Sequence, residues 1–262
     1  MTAHDHPHAA PQVDYDTFVN WTARLEREAP FFRSVFDEVD AKRVIDVGAG
    51  SARHSIMFGT WGLSVDAIDP DDSMLEAAES NIAEAAEAIA EAGGAVRLAR
   101  GGFGDLEGLG LAGADALVCT GNALPHVNDV DGLRAAFADF AAVLRPGGAL
   151  VLHLLNHARL LDKKPRAIPP VVRETSEGTM VFLRVISYAE DVLDFDFITL
   201  LRDAEGEWEL NHRRSPHVAL PADLLQRELE AAGFGEVRLL GGHDGHALSD
   251  ADESVIVVAK RR

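Results

Sequence analysis

The chain has 262 residues, 47% apolar and 26% charged, enough to bury a sizeable core in one or two domains. Its net charge of −19, from 24 basic and 43 acidic residues, repels phosphate backbones and anionic lipid, which argues against nucleic acid and membranes as partners. A single cysteine, Cys119, lies in an apolar run; it allows no internal disulfide and no cysteine-type zinc site, and reads as a small core residue.

The first residues, MTAHDHPHAAPQ, lack the basic start and apolar block of a signal peptide, and no apolar run reaches the roughly 18 residues of a membrane span. A cytoplasmic protein is expected. Residues 1–13 read as a disordered tail in which His4, His6 and His8 are at most loose metal donors, and no metal site is expected. Phe18, Trp21, Leu25, Ala29, Phe32, Val35 and Phe36 then recur at helical spacing, with Pro30 expected to break the helix or divide a pair.

A strand–helix alternation follows. Strands are predicted at 44–47, 63–68, 95–99, 114–120 and 149–155. Helices are predicted at 52–61, 72–92 (capped by Asp71 or Asp72 and stopped by Gly93-Gly94) and 130–144 (ended by Pro146-Gly147-Gly148). Such alternation means a parallel sheet with helices on both faces. The rhythm then changes to three extended segments, 180–188, 192–202 and 207–214; Asp194 to Thr199 alternates with period two, as a half-exposed antiparallel strand does. A helix over 221–232 and strands at 237–240 and 255–259 restore the α/β pattern. The expected organisation is a tail (1–13), an N-terminal helical lid (14–40), a core (41–156), an antiparallel insertion on the substrate side (157–217) and the end of the core sheet (218–262).

Gly48 and Gly50 lie just past the first strand, where glycine allows a tight turn and close approach of a ligand to backbone. The dinucleotide pattern Gly-x-Gly-x-x-Gly fails, because Arg53 holds its last position. Asp46 at the strand end would repel a pyrophosphate. It suits a ligand with a nearby positive group, such as S-adenosylmethionine (SAM), which carries an α-ammonium and a sulfonium; the plain alternative is that Asp46 only caps the turn. Asp69, about 20 residues further on at the tip of the second strand, is placed to bridge ribose hydroxyls. Pro70 follows it, and Met74 can pack on an adenine face. Asp66, mid-strand, reads as a surface residue.

Asp46–Gly50, Asp69 with Ser73-Met74-Leu75, and Leu144-Arg-Pro-Gly-Gly148 together resemble the class I SAM-dependent methyltransferases over nearly the whole chain, Tyr15 to Lys260. Cys119-Thr-Gly-Asn-Ala-Leu-Pro-His126 is similar to the small-molecule branch typified by glycine N-methyltransferase. The resemblance implies an α/β, Rossmann-like seven-stranded sheet of order 3-2-1-4-5-7-6, its last strand antiparallel, flanked by helices, with the antiparallel insertion after strand five. It implies that Asp46, Gly48, Ala49 and Gly50 hold the methionine end of SAM and Asp69 the ribose. Gly102, Phe103 and Gly104 would meet the adenine, with Phe103 stacking or Asp105 accepting from the amino group. Thr120, Gly121 and Asn122 would lie beneath the methyl, and Trp21 and Arg24 would form a lid whose arginine meets the SAM carboxylate; helix packing plus a surface charge is their alternative reading. Two departures stand out. Ala52 replaces a glycine, and Leu152-His-Leu-Leu-Asn156 carries leucine where glycine-specific members have a substrate-gripping arginine.

The expected reaction is methyl transfer to nitrogen or oxygen of a small molecule by in-line displacement, leaving S-adenosylhomocysteine. The protein then mainly aligns and desolvates the reactants. A general base is needed only for a protonated acceptor, and His126 is the candidate; His153, His157, His212 and His217 are weaker ones. Asn156, Arg184 and Tyr188 are candidate substrate contacts beside His126, and the inserted strands are a candidate homodimer contact. The alternatives are a SAM-binding regulatory or assembly protein without catalysis and, further off, an NAD-dependent oxidoreductase.

Overall fold

The computed structural model describes residues 15–175, 178–189 and 192–262; the expected tail, with His4, His6 and His8, lies outside them. The chain divides into two compact units, one of Trp21–Lys164 with His217–Arg262 and one of the described residues up to Asn20 with Pro165–Pro216.

The larger unit is built on β1 (Arg43–Val47), β2 (Ser64–Asp69), β3 (Ala95–Arg100), β4 (Ala114–Cys119) and β5 (Leu144–Leu155). Between them run α1 (Trp21–Glu38, ahead of β1), α2 (Arg53–Gly59), α3 (Asp72–Glu91) and α4 (Val130–Val143). α5 (His157–Lys163) follows β5. The four long strands of the smaller unit come next, β6 (Ala167–Thr175), β7 (Gly178–Tyr188), β8 (Val192–Arg202) and β9 (Trp208–Val218). Then α6 (Ala222–Ala231), β10 (Phe234–Leu240) and β11 (Ser254–Arg261) complete the chain.

The main sheet has the order β10-β11-β5-β4-β1-β2-β3. β1 to β5 pair in parallel, and β11 runs antiparallel to both β5 and β10. This is the expected topology, the sixth and seventh core strands being β10 and β11. Both sheet faces are buried, so strand residues read as continuous apolar runs whose alternate members face opposite layers. Val44, Val118 and Val151 pack under Phe31, Phe32, Val35 and Phe36 of α1 and Phe58 of α2. Ile45, Leu117, Cys119, Leu150 and Leu152 pack under Leu133, Phe137 and Phe140 of α4 and Leu225 and Leu229 of α6.

Local departures from expectation have plain causes. Pro30 breaks nothing: it lies on the exposed side of α1, and the aromatic pairs on the opposite face hold the helix continuous past one missing donor. α1 belongs to the core unit. Asp66 is buried, its oxygens taken by Arg43 and Arg97 at 3.2 and 2.9 Å, so it is an internal ion pair and no surface residue. β5 begins at Leu144 and runs through the Pro-Gly-Gly segment. Asp71 is the cap of α3, accepting from Ser73 and Met74.

The smaller unit is a sheet of order β6-β7-β8-β9, four strands where three were expected; β6 carries two prolines, which masked it. Within it Phe18 stacks on Phe182 at 4.3 Å, Arg184 lies 5.8 Å over the Phe182 ring, and the Tyr188 hydroxyl donates to the Pro165 carbonyl at 2.8 Å. Among the described residues no helix is long and apolar enough to cross a membrane.

His157, fully buried on α5, accepts from the Leu220 backbone N–H at 2.9 Å, and burial pushes its imidazole down to about 4. The unfolded chain takes up this proton near the ordinary value of 6.5 and the folded chain does not, so stability is lost as pH falls from about 6.5 toward 4. Denaturant unfolding at successive pH values should show a loss of about 1.4 kcal/mol per unit from this group. His157→Gln should be less stable at pH 7 but have a shallower slope in that window; an unchanged slope would remove His157 as its source.

Candidate active site

The C-terminal ends of parallel strands are where open α/β sheets bind ligands, and the sequence-predicted cofactor residues gather there. Gly48 and Gly50 adopt φ of 72° and 55°, and Ala52, standing where a third glycine was expected, takes φ of 61°. Ala52 is an alanine held in a left-handed conformation that glycine adopts freely. The turn is pinned to the neighbouring strand: Gly48 and Ala49 N–H donate to the Ile68 carbonyl at 2.8 and 3.0 Å. Space at the turn is tight. A Cβ on Gly48 would meet the Ala123 Cβ at 2.6 Å, and one on Gly50 would touch the Met74 sulfur at 3.9 Å.

Asp46 is 1% exposed. Its Oδ2 accepts from the Ser55 hydroxyl at 2.6 Å, while its Oδ1 is buried without a hydrogen-bond partner. Burial pushes its carboxyl above the usual range, against the pull of His54 and Ser55. An unsatisfied buried carboxylate oxygen costs on the order of 1–3 kcal/mol or more. That bare oxygen, beside glycines whose space a side chain would fill, fits the α-ammonium of SAM. Asp69 fits the ribose. Its Oδ2 accepts from Gly50 N–H at 2.8 Å and its Oδ1 from Asp71 N–H at 3.0 Å, and each oxygen retains lone-pair capacity for a hydroxyl. Pro70 and Met74 border the same end, and Gly102 approaches Pro70, a Cβ built on it lying 3.9 Å from the Pro70 Cβ. Phe103 turns its ring edge to Phe140 at 6.0 Å. Asp105 accepts from Gly102 N–H at 2.9 Å. The loop itself is held by Asp139 of α4, which accepts from the backbone of Gly104, Leu106 and Glu107. The sequence reading missed Asp139, since its signal is only a lone acid on an apolar helix face.

At the end of β4, Thr120 is buried, and Gly121 and Asn122 both have positive φ. Asn122 is held on three sides: its N–H donates to the His153 carbonyl, its Oδ1 accepts from Leu155 N–H, and its Nδ2 lies 3.3 Å from His217 Nδ1. His126, exposed in the short 3-10 turn Leu124–His126, sets its ring edge-on to the buried His217 at 4.5 Å. Asn156 is committed elsewhere. It caps α5 by accepting from Arg159 N–H and donates to the Asp252 carbonyl.

Trp21 and Arg24 stand at the start of α1, the guanidinium 5.0 Å over the indole. Arg24 Nε donates to Glu28 Oε1 at 3.0 Å. Glu28 is buried and leads to a network that sequence reasoning did not find. Its Oε2 lies 2.8 Å from His54 Nε2, and His54 Nδ1 lies 3.4 Å from the Thr120 hydroxyl. Burial alone would raise the Glu28 carboxyl; His54 and Arg24 hold it well below the usual range. A glutamate on α1, a histidine on α2 and a threonine after β4 give no common spacing, so only the fold joins them.

Residues 44–148 match a family model described as a methyltransferase domain. The chain is 29% identical over 247 residues to a glycine/sarcosine N-methyltransferase of Aphanothece halophytica, covering 94% of this chain and 86% of that enzyme. A second such enzyme, from Parasynechococcus marenigrum, is 32% identical over 149 residues, and there the match spans 56% of this chain and only half, 50%, of the relative. In fold the chain is similar to SAM-bound CalS10, an amino pentose methyltransferase from Micromonospora echinaspora, with a TM-score of 0.69, 21% identity, and coverage of 93% of this chain and 92% of that one. Residues 44–148 thus match a methyltransferase domain, the fold is that of the SAM-dependent methyltransferases, and SAM is the expected cofactor.

Two substitutions test the site by calorimetric SAM titration. Asp69→Ala should weaken binding by more than about tenfold, or 1.4 kcal/mol, and unchanged affinity would remove Asp69 from the ribose. Gly48→Ala should do the same and lower stability by about 1 kcal/mol, through strain at positive φ and the clash with Ala123. Pairing it with Ala123→Gly should recover part of the loss, because only the clash is relieved.

Proposed function

We propose that the chain transfers the methyl group of SAM to the nitrogen of a small-molecule amine by in-line displacement. The observation that carries the reading is the bare, buried Asp46 Oδ1 at a turn opened by Gly48 and Gly50, which is complementary to a cationic ligand. The N-methyltransferase relatives favour nitrogen over oxygen. SAM supplies an already activated methyl group, so the chain's work is to bind, orient and exclude water.

In this reading Asp46 takes the ammonium, Asp69 the ribose hydroxyls, and Gly102, Phe103 and Met74 border the adenine. Thr120, Gly121 and Asn122 form the floor beneath the transferred group, kept rigid by the Asn122 bonds to β5 and His217. A protonated amine must lose a proton before it attacks, and His126 is the base, its ring orientation set by His217. Arg24 is shared, its Nε on Glu28 and its remaining N–H groups directed to the SAM carboxylate. Asn156 and Tyr188 are left out, because their side chains are already bonded to protein backbone. Arg184 is left out as well, since it lies on an aromatic ring of its own sheet.

The experiment is formation of S-adenosylhomocysteine by the purified chain with a panel of glycine, sarcosine and amino sugars, followed by mass analysis of the acceptor. We expect turnover with at least one amine and an N-methylated product. His126→Ala should lower kcat about 100-fold or more while SAM affinity stays within about twofold. Tight SAM binding without turnover on any acceptor would favour a binding-only role, and an O-methylated product would overturn the choice of nitrogen.

A further inference from the structure

Beside Thr120, on the sheet face covered by α1 and α2, three side chains from distant parts of the chain converge. Glu28 comes from the middle of α1, His153 from the end of β5, and His243 from the loop between β10 and β11. One ligand atom of each lies within 4.8 Å of the others. His153 Nδ1 and His243 Nε2 are buried and have no hydrogen-bond partner among the described residues. The His243 side chain is only 7% exposed, with Nε2 3.9 Å from Glu28 Oε2. Its ring is fixed edge-on between Phe31 at 5.2 Å and His153 at 5.0 Å.

With each imidazole proton on its other ring nitrogen, the tautomer a metal would select, the two imidazole nitrogens and the carboxylate oxygen are three electron-pair donors lying close together. A water molecule has two protons to offer three acceptors; a cation accepts from all three. We propose that Glu28, His153 and His243 form a binding site for a divalent first-row transition cation of the Zn2+ type. Two nitrogens with one oxygen suit Zn2+, Co2+ or Ni2+, whereas Mg2+ and Ca2+ want oxygen alone. Three protein ligands also leave one coordination position open. The surroundings are those of a supported site. His54 Nε2, 2.8 Å from Glu28 Oε2, orients the carboxylate and links it through Nδ1 to Thr120. Arg24 and Arg27 sit on the other oxygen, at 3.0 and 3.6 Å, and draw charge from it, which lowers metal affinity. The inference stands apart from which acceptor is methylated.

The test uses the full chain freed of metal by chelator dialysis, with His4, His6 and His8 changed to Gln so that tail donors do not compete. Zn2+ is titrated calorimetrically, Co2+ by its visible absorption, and Mg2+ serves as control. We expect one Zn2+ or Co2+ per chain and silence with Mg2+. His153→Gln and His243→Asn should each weaken binding about tenfold or more, and Arg27→Ala, which removes a repelling charge, should tighten it about two- to fivefold. Failure of the tail-substituted chain to bind, or binding unaltered by His153→Gln and His243→Asn, overturns the proposal. His153 is part of the sheet and His243 of a loop, so if the strand variant does not fold, His243→Asn decides alone.

Discussion

The geometry of the candidate site rests on one hydrogen bond, from the Gly50 backbone N–H to Asp69. A parallel sheet leaves each strand end and the following helix start with unpaired backbone groups. Asp69 satisfies the turn after β1 and the chain after β2 together, and so fixes the spacing between the two strand ends. The bond is made on a left-handed path, with Gly48, Gly50 and Ala52 all at positive φ. With the turn set, Asp46 is carried below it and buried, and Ala123 closes against Gly48.

A second constraint acts from the other side. Glu28 is buried with Arg24, His54 and His243 around it. Removing one partner of such a group costs about 3–5 kcal/mol, because the charge left behind has no water. α1 is therefore held to α2 and to the sheet by charge as well as by its phenylalanines. An opening that swung the whole helix away would break the Glu28 pairs and expose Phe32 and Phe36 together.

The main sheet was legible because its physics is local. Apolar runs of four to six residues, glycine after β1 and β2-end acids are printed in the sequence, and the strand order followed from the resemblance. Boundaries slipped where chemistry at a distance decided them. β5 extends through Pro146-Gly147-Gly148 because Arg145 is tied to Asp115 and to the Val39 carbonyl, contacts far away in sequence. Asp66 reads as exposed until Arg43 and Arg97 are brought to it from neighbouring strands. At the site, Asp46 and Asp69 could be found because each sits at a strand end next to a recognisable turn. Glu28, His54, His153 and His243 could not: no periodicity links four elements that meet only once α1 folds over the sheet. Asn156 is a polar residue after a strand whose amide caps α5, a contact that spacing alone does not reveal.

The two acids carry the electrostatics of the proposed cation site. Burial raises the carboxyl of Asp46 and of Asp69, and the Asp69 charge further opposes ionisation of Asp46. A positive ligand reverses this: an ammonium at the bare Asp46 oxygen stabilises the ionised form that burial disfavours. SAM carries two positive centres and its product one, and the ammonium proposed for Asp46 is common to both. An anionic pyrophosphate would meet the reverse, a buried acid with no donor to offer, which is why the failure of the third glycine position and the presence of Asp46 point the same way.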